Sequence, residues 1–135
     1  MPAANERALE KAKTIPADAI IFDLEDAVAP DAKDAARENA VAAAASGDYG
    51  RRELTIRCNG LDTPWGAADI AAAAGSSAAA VVIPKVTSTD HLREVDAQLR
   101  AARAPEDMTI WAMVETPTAI FDIRSIAAHP RVNVL

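Results

Sequence analysis

This sequence predicts an α/β fold built on parallel strands, and three observations carry that prediction. Strand-like and helix-period segments alternate along the whole chain. The strand-like segments are short and nearly continuously apolar, the pattern of strands covered by crossover helices. The composition is 50% hydrophobic but only 4% aromatic, and its many alanines suit helices packed closely through short side chains rather than a β-sandwich.

Taken in order, the helical period over Glu6–Thr14 gives a first helix, and the apolar run Ala19–Leu24 a first strand. A helix over Ala32–Ser46 has Asp31 as its candidate cap and Gly47 to close it. A strand over Glu53–Cys58 and a helix over Pro64–Ala74 follow, then a strand over Ala79–Ile83. In "TSTD", Thr87 or Ser88 offers a cap for a helix over Asp90–Arg103. The last elements are a strand over Met108–Val114, a helix over Pro117–Ala128 and a short strand over Val132–Leu135. Two stretches, "DTPWGAADI" and "ETPTAIFDI", each set an acid, a capping Thr and a Pro before a helix, which predicts one kind of strand-to-helix turn used twice. Parallel strands with right-handed crossovers fit both a (β/α)8 barrel and a doubly wound sheet.

The 135 residues predict one domain, with no linker dividing it. A net charge of −6 excludes a nucleic-acid surface, because clustered basic residues are needed there and Arg51–Arg52 is too short a run. The single cysteine, Cys58, lies in an apolar run and predicts a packed thiol in a reducing, cytoplasmic setting. No apolar run reaches membrane-spanning length, and no signal peptide is visible at the start. A soluble protein with no membrane partner is therefore expected.

The segment "IFDLEDAV" places Asp23, Glu25 and Asp26 behind an apolar strand, where desolvation and mutual repulsion oppose ionisation. Strand side chains alternate between faces. Ile21, Asp23 and Glu25 share one parity, as do Thr55, Arg57 and Asn59, then Val81, Ile83 and Lys85, then Trp111, Met113 and Glu115. If that parity faces inward, Glu25, Arg57, Lys85 and Glu115 reach the C-terminal ends of neighbouring strands, where barrel enzymes keep their chemistry. Crowded carboxylates become tolerable there beside an arginine or a hard cation such as Mg²⁺. A metal beside a guanidinium suits a substrate with carboxylate and carbonyl groups, and so enolate stabilisation.

The stretches "IFDLEDAVAPDAK", "IRCNGLDTPWGAADI", "VVIPKV" and "AMVETPTAIFDIRSIA" together resemble the citrate lyase β-subunit-like proteins of the HpcH/HpaI aldolase family. That resemblance spans nearly the whole chain. It implies a partial TIM barrel, with residues 1–135 forming a single incomplete domain, and a Mg²⁺-dependent lyase. Its substrates would be 3-hydroxyacyl-CoA thioesters of the malyl-CoA, citramalyl-CoA or citryl-CoA type. It further implies that Arg57 binds substrate, that Glu115 holds Mg²⁺ and contacts substrate, and that Glu25 and Asp26 line the site as its acidic pair. Homo-trimers or hexamers are implied as well.

Full barrels need about 250 residues, so the resemblance marks this sequence as part of a longer chain. A first strand would precede "MPAANERAL", and a second metal-binding Asp would follow "VNVL". By itself the chain is then expected to be inactive and to have open sheet edges. Two alternatives stand beside the lyase: a noncatalytic half-barrel that docks through those edges, and a CoA-independent aldolase acting on pyruvate. Asn59 is a candidate for substrate contact by its parity. Lys85 is expected in a structural ion pair rather than as a Schiff-base nucleophile, because nearby acids raise its pKa. Trp111 and Met113 are expected to fill the barrel interior, and His91 and His129 to be solvated.

Overall fold

The computed structural model describes residues 1–135. Its elements are α1 (Glu6–Ala12), β1 (Ala19–Asp23), a 3₁₀ turn (Pro30–Ala32), α2 (Lys33–Ala45), β2 (Glu53–Arg57), α3 (Gly66–Ala74), β3 (Ala80–Ile83), α4 (Thr89–Ala101), β4 (Thr109–Ala112), α5 (Pro117–Phe121), α6 (Ile123–Ala127) and β5 (Val132–Val134). The strands form one sheet in the order β1-β2-β3-β4-β5, and every neighbouring pair is parallel. A doubly wound sheet reverses its strand order at a switch point. Here the order runs straight through, as in a segment of a (β/α)8 barrel.

The helices cover one face. Ile20, Phe22, Ile56, Val81, Ile83 and Ile110 from the strands and Leu24 just past β1 join Ala36, Ala40 and Ala44 of α2, Ile70 and Ala73 of α3, and Leu92, Val95 and Leu99 of α4 in a single core. The alanines of α2 recur every fourth residue, so one stripe without bulk lets that helix lie close to the sheet. Phe22 meets Tyr49 edge-on with ring centroids 5.2 Å apart, and the Tyr49 hydroxyl donates to the Leu9 carbonyl at 3.1 Å, which ties α1 to the same core. Cys58 is fully buried there, and burial pushes its thiol well above the ordinary range.

Several termini differ from expectation. Asp31 caps nothing: it sits within the 3₁₀ turn, and α2 starts at Lys33 without a side-chain cap. Gly47 lies just past α2 with a φ of 75°, the left-handed conformation that ends a helix. Ser88 accepts from the His91 amide at 3.3 Å and is the cap of α4. Thr63 and Thr116 each accept at 3.2 Å from the amide three residues on, Gly66 and Ala119. One turn is thus used twice, although α3 begins at Gly66 rather than Pro64. The single helix expected over Pro117–Ala128 is broken at Asp122, whose carboxylate turns away to accept from the Thr89 amide at 3.3 Å.

His129 is buried rather than solvated, and its Nδ1 accepts from the Arg131 amide at 3.3 Å. A histidine before a proline at a helix end reads as surface; here the imidazole is turned onto the backbone that leads into β5. No helix is long and apolar enough to cross a membrane.

Candidate functional site

Register places the first charged pair. Asp23 and Arg57 end β1 and β2 and stand directly opposite each other, so both side chains leave the sheet on the same face. Arg57 Nε donates to Asp23 Oδ1 at 2.6 Å and Nη2 donates to Oδ2 at 2.5 Å, a two-bonded fork. Arg57 Nη1 lies 3.2 Å from Glu25 Oε2, and Lys85 Nζ donates to Glu25 Oε1 at 2.7 Å. The backbone N–H of Lys85 donates to Glu115 Oε1 at 2.8 Å. An unbroken polar run, Asp23–Arg57–Glu25–Lys85–Glu115, therefore crosses the C-terminal ends of four successive strands.

That run explains how acids can crowd a buried strand end. Asp23 and Glu25 are each only 6% exposed, yet each faces a cation. Burial opposes ionisation of Asp23, but the Arg57 fork and the amides of Glu25 and Ala27 outweigh it and hold the carboxyl below its usual range. The bond to Asp23 in turn holds Arg57 more firmly charged. Hydrogen bonding to Glu25 pushes the Lys85 ammonium up, as expected for an ion pair and opposite to what a Schiff-base lysine requires.

Lys85 reaches this rim by a route that strand parity misses. Val81 and Ile83 belong to the helix-side core, whereas Val82 pairs with Trp111 and Arg57 and faces inward with them. The inward parity expected for β3 is therefore reversed. β3 ends at Ile83, and after Pro84 the backbone of Lys85 adopts a left-handed φ of 50°, which turns its side chain back over Glu25.

Asn59 does not stand where strand parity puts it. Only 3% exposed, it does not share the Arg57 surface. Its Nδ2 donates to the Leu24 carbonyl at 2.9 Å and to Asp69 Oδ2 at 2.6 Å, and its Oδ1 accepts from Lys33 Nζ at 2.7 Å. β2 has ended at Arg57, so alternation no longer governs Asn59, and its amide is fully engaged by α2 and α3. Asp26 is exposed at the mouth of a hollow of about 320 Å³ that Glu25, Lys33, Asn59, Trp65 and Lys85 also line.

On the inner face of the sheet, a cavity of about 370 Å³ opens beside Arg57, walled by Ile21, Val82, Trp111 and Met113 with Asp23 at its edge. Trp111 and Met113 are half-buried there and line the cavity rather than fill it. Residues given no role from the sequence are Asp23, which shares the parity of Glu25, and Lys33 and Asp69, which sit on helices where strand parity gives no signal.

No three His, Cys, Asp or Glu side chains gather as a metal cage. The rim does offer carboxylate oxygens, with Glu115 the most accessible. That suits a hard ion such as Mg²⁺, which keeps waters and substrate oxygens and takes only one or two carboxylates.

Sheet order and rim together define a barrel-type α/β protein with a charged site at its strand ends. The chain belongs to the HpcH/HpaI aldolase/citrate lyase family, whose model matches residues 1–135. It is 49% identical over 133 residues to a (3S)-malyl-CoA thioesterase of Cereibacter sphaeroides, covering 98% of this chain and 45% of that protein. It is 34% identical over 142 residues to an L-malyl-CoA/beta-methylmalyl-CoA lyase of the same organism, covering 99% and 45%. Among solved structures, protein CitE from Mycobacterium tuberculosis in complex with magnesium and pyruvate superposes with a TM-score of 0.77 at 28% identity, covering 99% of this chain and 50% of that one. The chain spans about half the length of the relatives it matches.

Proposed function

We propose that residues 1–135 form one part of a (β/α)8 barrel domain whose enzyme cleaves carbon–carbon bonds in 3-hydroxyacyl-CoA thioesters of the malyl-CoA, citramalyl-CoA or citryl-CoA type. The observation that carries this reading is the run of alternating charges from Asp23 to Glu115 beside a largely apolar cavity. Asp23 occupies Nε and one edge of Nη2 of Arg57, which fixes the guanidinium plane and leaves outer N–H groups for a substrate carboxylate. Glu25, held between Arg57 and Lys85, and Asp26 at the mouth form the acidic side of the site. Glu115 supplies the carboxylate for Mg²⁺. When bound, that ion polarises a substrate carbonyl and stabilises developing enolate charge. Ile21, Val82, Trp111 and Met113 keep water from the reacting centre. The working form is a cytoplasmic homo-oligomer, a trimer or hexamer.

A second reading, hydrolysis of the same thioesters, is favoured by the higher identity to the thioesterase than to the lyase. Both readings need the acyl carboxylate held in place, so Arg57 serves either.

The test is turnover of malyl-CoA with Mg²⁺ by the full barrel of which residues 1–135 are one part, read by mass. Retro-aldol cleavage yields acetyl-CoA and glyoxylate; hydrolysis yields malate and free CoA. The lyase products are expected, with Arg57→Met lowering kcat/KM by at least about thirtyfold, the consequence of leaving a carboxylate without its charged partner. Malate with free CoA moves the assignment to the second reading. No product at all, together with an unchanged malyl-CoA affinity in Arg57→Met, overturns both.

A further inference from the structure

Lys33 is a buried cation that the proposed chemistry does not use. It is 6% exposed, and its Nζ donates to the Leu24 carbonyl, the Glu25 carbonyl and Asn59 Oδ1, each at 2.7 Å. An ammonium has three donors, and all three are taken. The Trp65 ring lies over the same nitrogen with its centroid 5.2 Å away. As the first residue of α2, Lys33 places its positive charge at the end of the helix where the macrodipole opposes it. These acceptors, not the helix, stabilise it there.

The acceptors lie on the two loops that matter. Leu24 and Glu25 follow β1, and Asn59 follows β2. Asn59 is locked in turn by Asp69, which accepts from both its backbone N–H at 2.9 Å and its side chain, and Asp69 is held by Arg37 Nε at 2.7 Å. We propose that Lys33 is the positioning residue for Glu25: by clamping the carbonyls on either side of the Leu24–Glu25 step to Asn59, it fixes where the Glu25 carboxylate stands between Arg57 and Lys85. This rests on the proposed role of Glu25, but its geometry can be tested apart from activity.

Two measurements address it. In the unaltered protein, three bonds and burial protect the ammonium protons of Lys33, so a ¹⁵Nζ–H signal is expected at neutral pH and is assigned by its loss in Lys33→Met. In Lys33→Met, amide exchange at Glu25 and Ala27, whose N–H groups donate to Asp23, is expected to quicken at least about tenfold while amides of β2, β3 and α4 keep their rates. With Lys33→Met in the full barrel and malyl-CoA as substrate, kcat is expected to fall about a hundredfold with little change in KM, the cost of a misplaced group rather than lost binding. Unchanged exchange at Glu25 and Ala27, exchange that quickens equally across the sheet, or the absence of the protected signal in the unaltered protein overturns the proposal. If the full barrel turns over no thioester, the enzymatic reading fails, and the exchange rates still decide the role of Lys33.

Discussion

Replacing Asp23 with alanine removes the acceptor at the centre of the rim. Its carboxylate takes two bonds from Arg57, at 2.6 and 2.5 Å, and two from the amides of Glu25 and Ala27, at 2.8 and 3.3 Å. Breaking a buried pair on one side costs about 3–5 kcal/mol, because the remaining charge is left uncompensated. Arg57 keeps Glu25 at 3.2 Å and has 20% of its side chain exposed, which places this term at the lower end. Loss of the buried Glu25 amide's acceptor adds roughly 1 kcal/mol. Asp23→Ala should therefore lose about 4 kcal/mol, a large share of the 5–15 kcal/mol typical of a domain. The melting temperature should drop by about 15 °C. Urea unfolding followed by circular dichroism at pH 7 measures it. The folded pKa of Asp23 is depressed, so its contribution is full above the ordinary carboxylate value near 4 and is lost as pH falls through the lower, folded value. The gap between the two proteins should narrow below about pH 4. A gap under about 1 kcal/mol at pH 7, or one that stays constant down to pH 3, would refute the reasoning.

At Lys85 the ion pair and the backbone pull apart. Its side chain is 63% exposed, so losing the pair should cost at most about 1 kcal/mol, while its φ of 50° favours glycine. Lys85→Gly should therefore be more stable than Lys85→Ala, by about 1 kcal/mol in urea titrations; the reverse order would count against the left-handed turn. At Gly66, an added Cβ would lie 2.2 Å from the Gly60 carbonyl oxygen. Gly66→Ala should cost about 1–3 kcal/mol and loosen the turn capped by Thr63, whereas Gly75→Ala, whose Cβ meets nothing nearer than 3.8 Å, should stay near neutral in the same titration.

Alternation along β1, β2 and β4 was readable because those strands are covered by helices on one side only, so Ile20, Phe22, Ile56 and Ile110 separate cleanly from Asp23, Arg57 and Trp111. The same rule misled at β3. There both faces are apolar, and every residue from Ala80 to Ile83 is buried, so nothing in the residue types distinguished the two parities; Lys85 seemed to settle it but lies beyond the strand. The face expected for Asn59 differs for a related reason, since it follows the last paired residue of β2. Glu25 and Arg57 could be brought together from spacing alone. Parity groups Asp23 with Glu25, but that it stands directly opposite Arg57 depends on strand register, which parity does not give. Lys33 could not be placed from spacing: its contacts depend on how α2 folds back over two loops.

The straight strand order has a further bearing on how the chain comes together. Ile21 meets Thr55, Thr55 meets Ala80, Ala80 meets Thr109, and Ile110 meets Val132. Each new segment thus lands beside the one made just before it, and no contact in the sheet waits for distant ends to find each other. Assembly can proceed by accretion, each added unit meeting only a modest loop-closure cost.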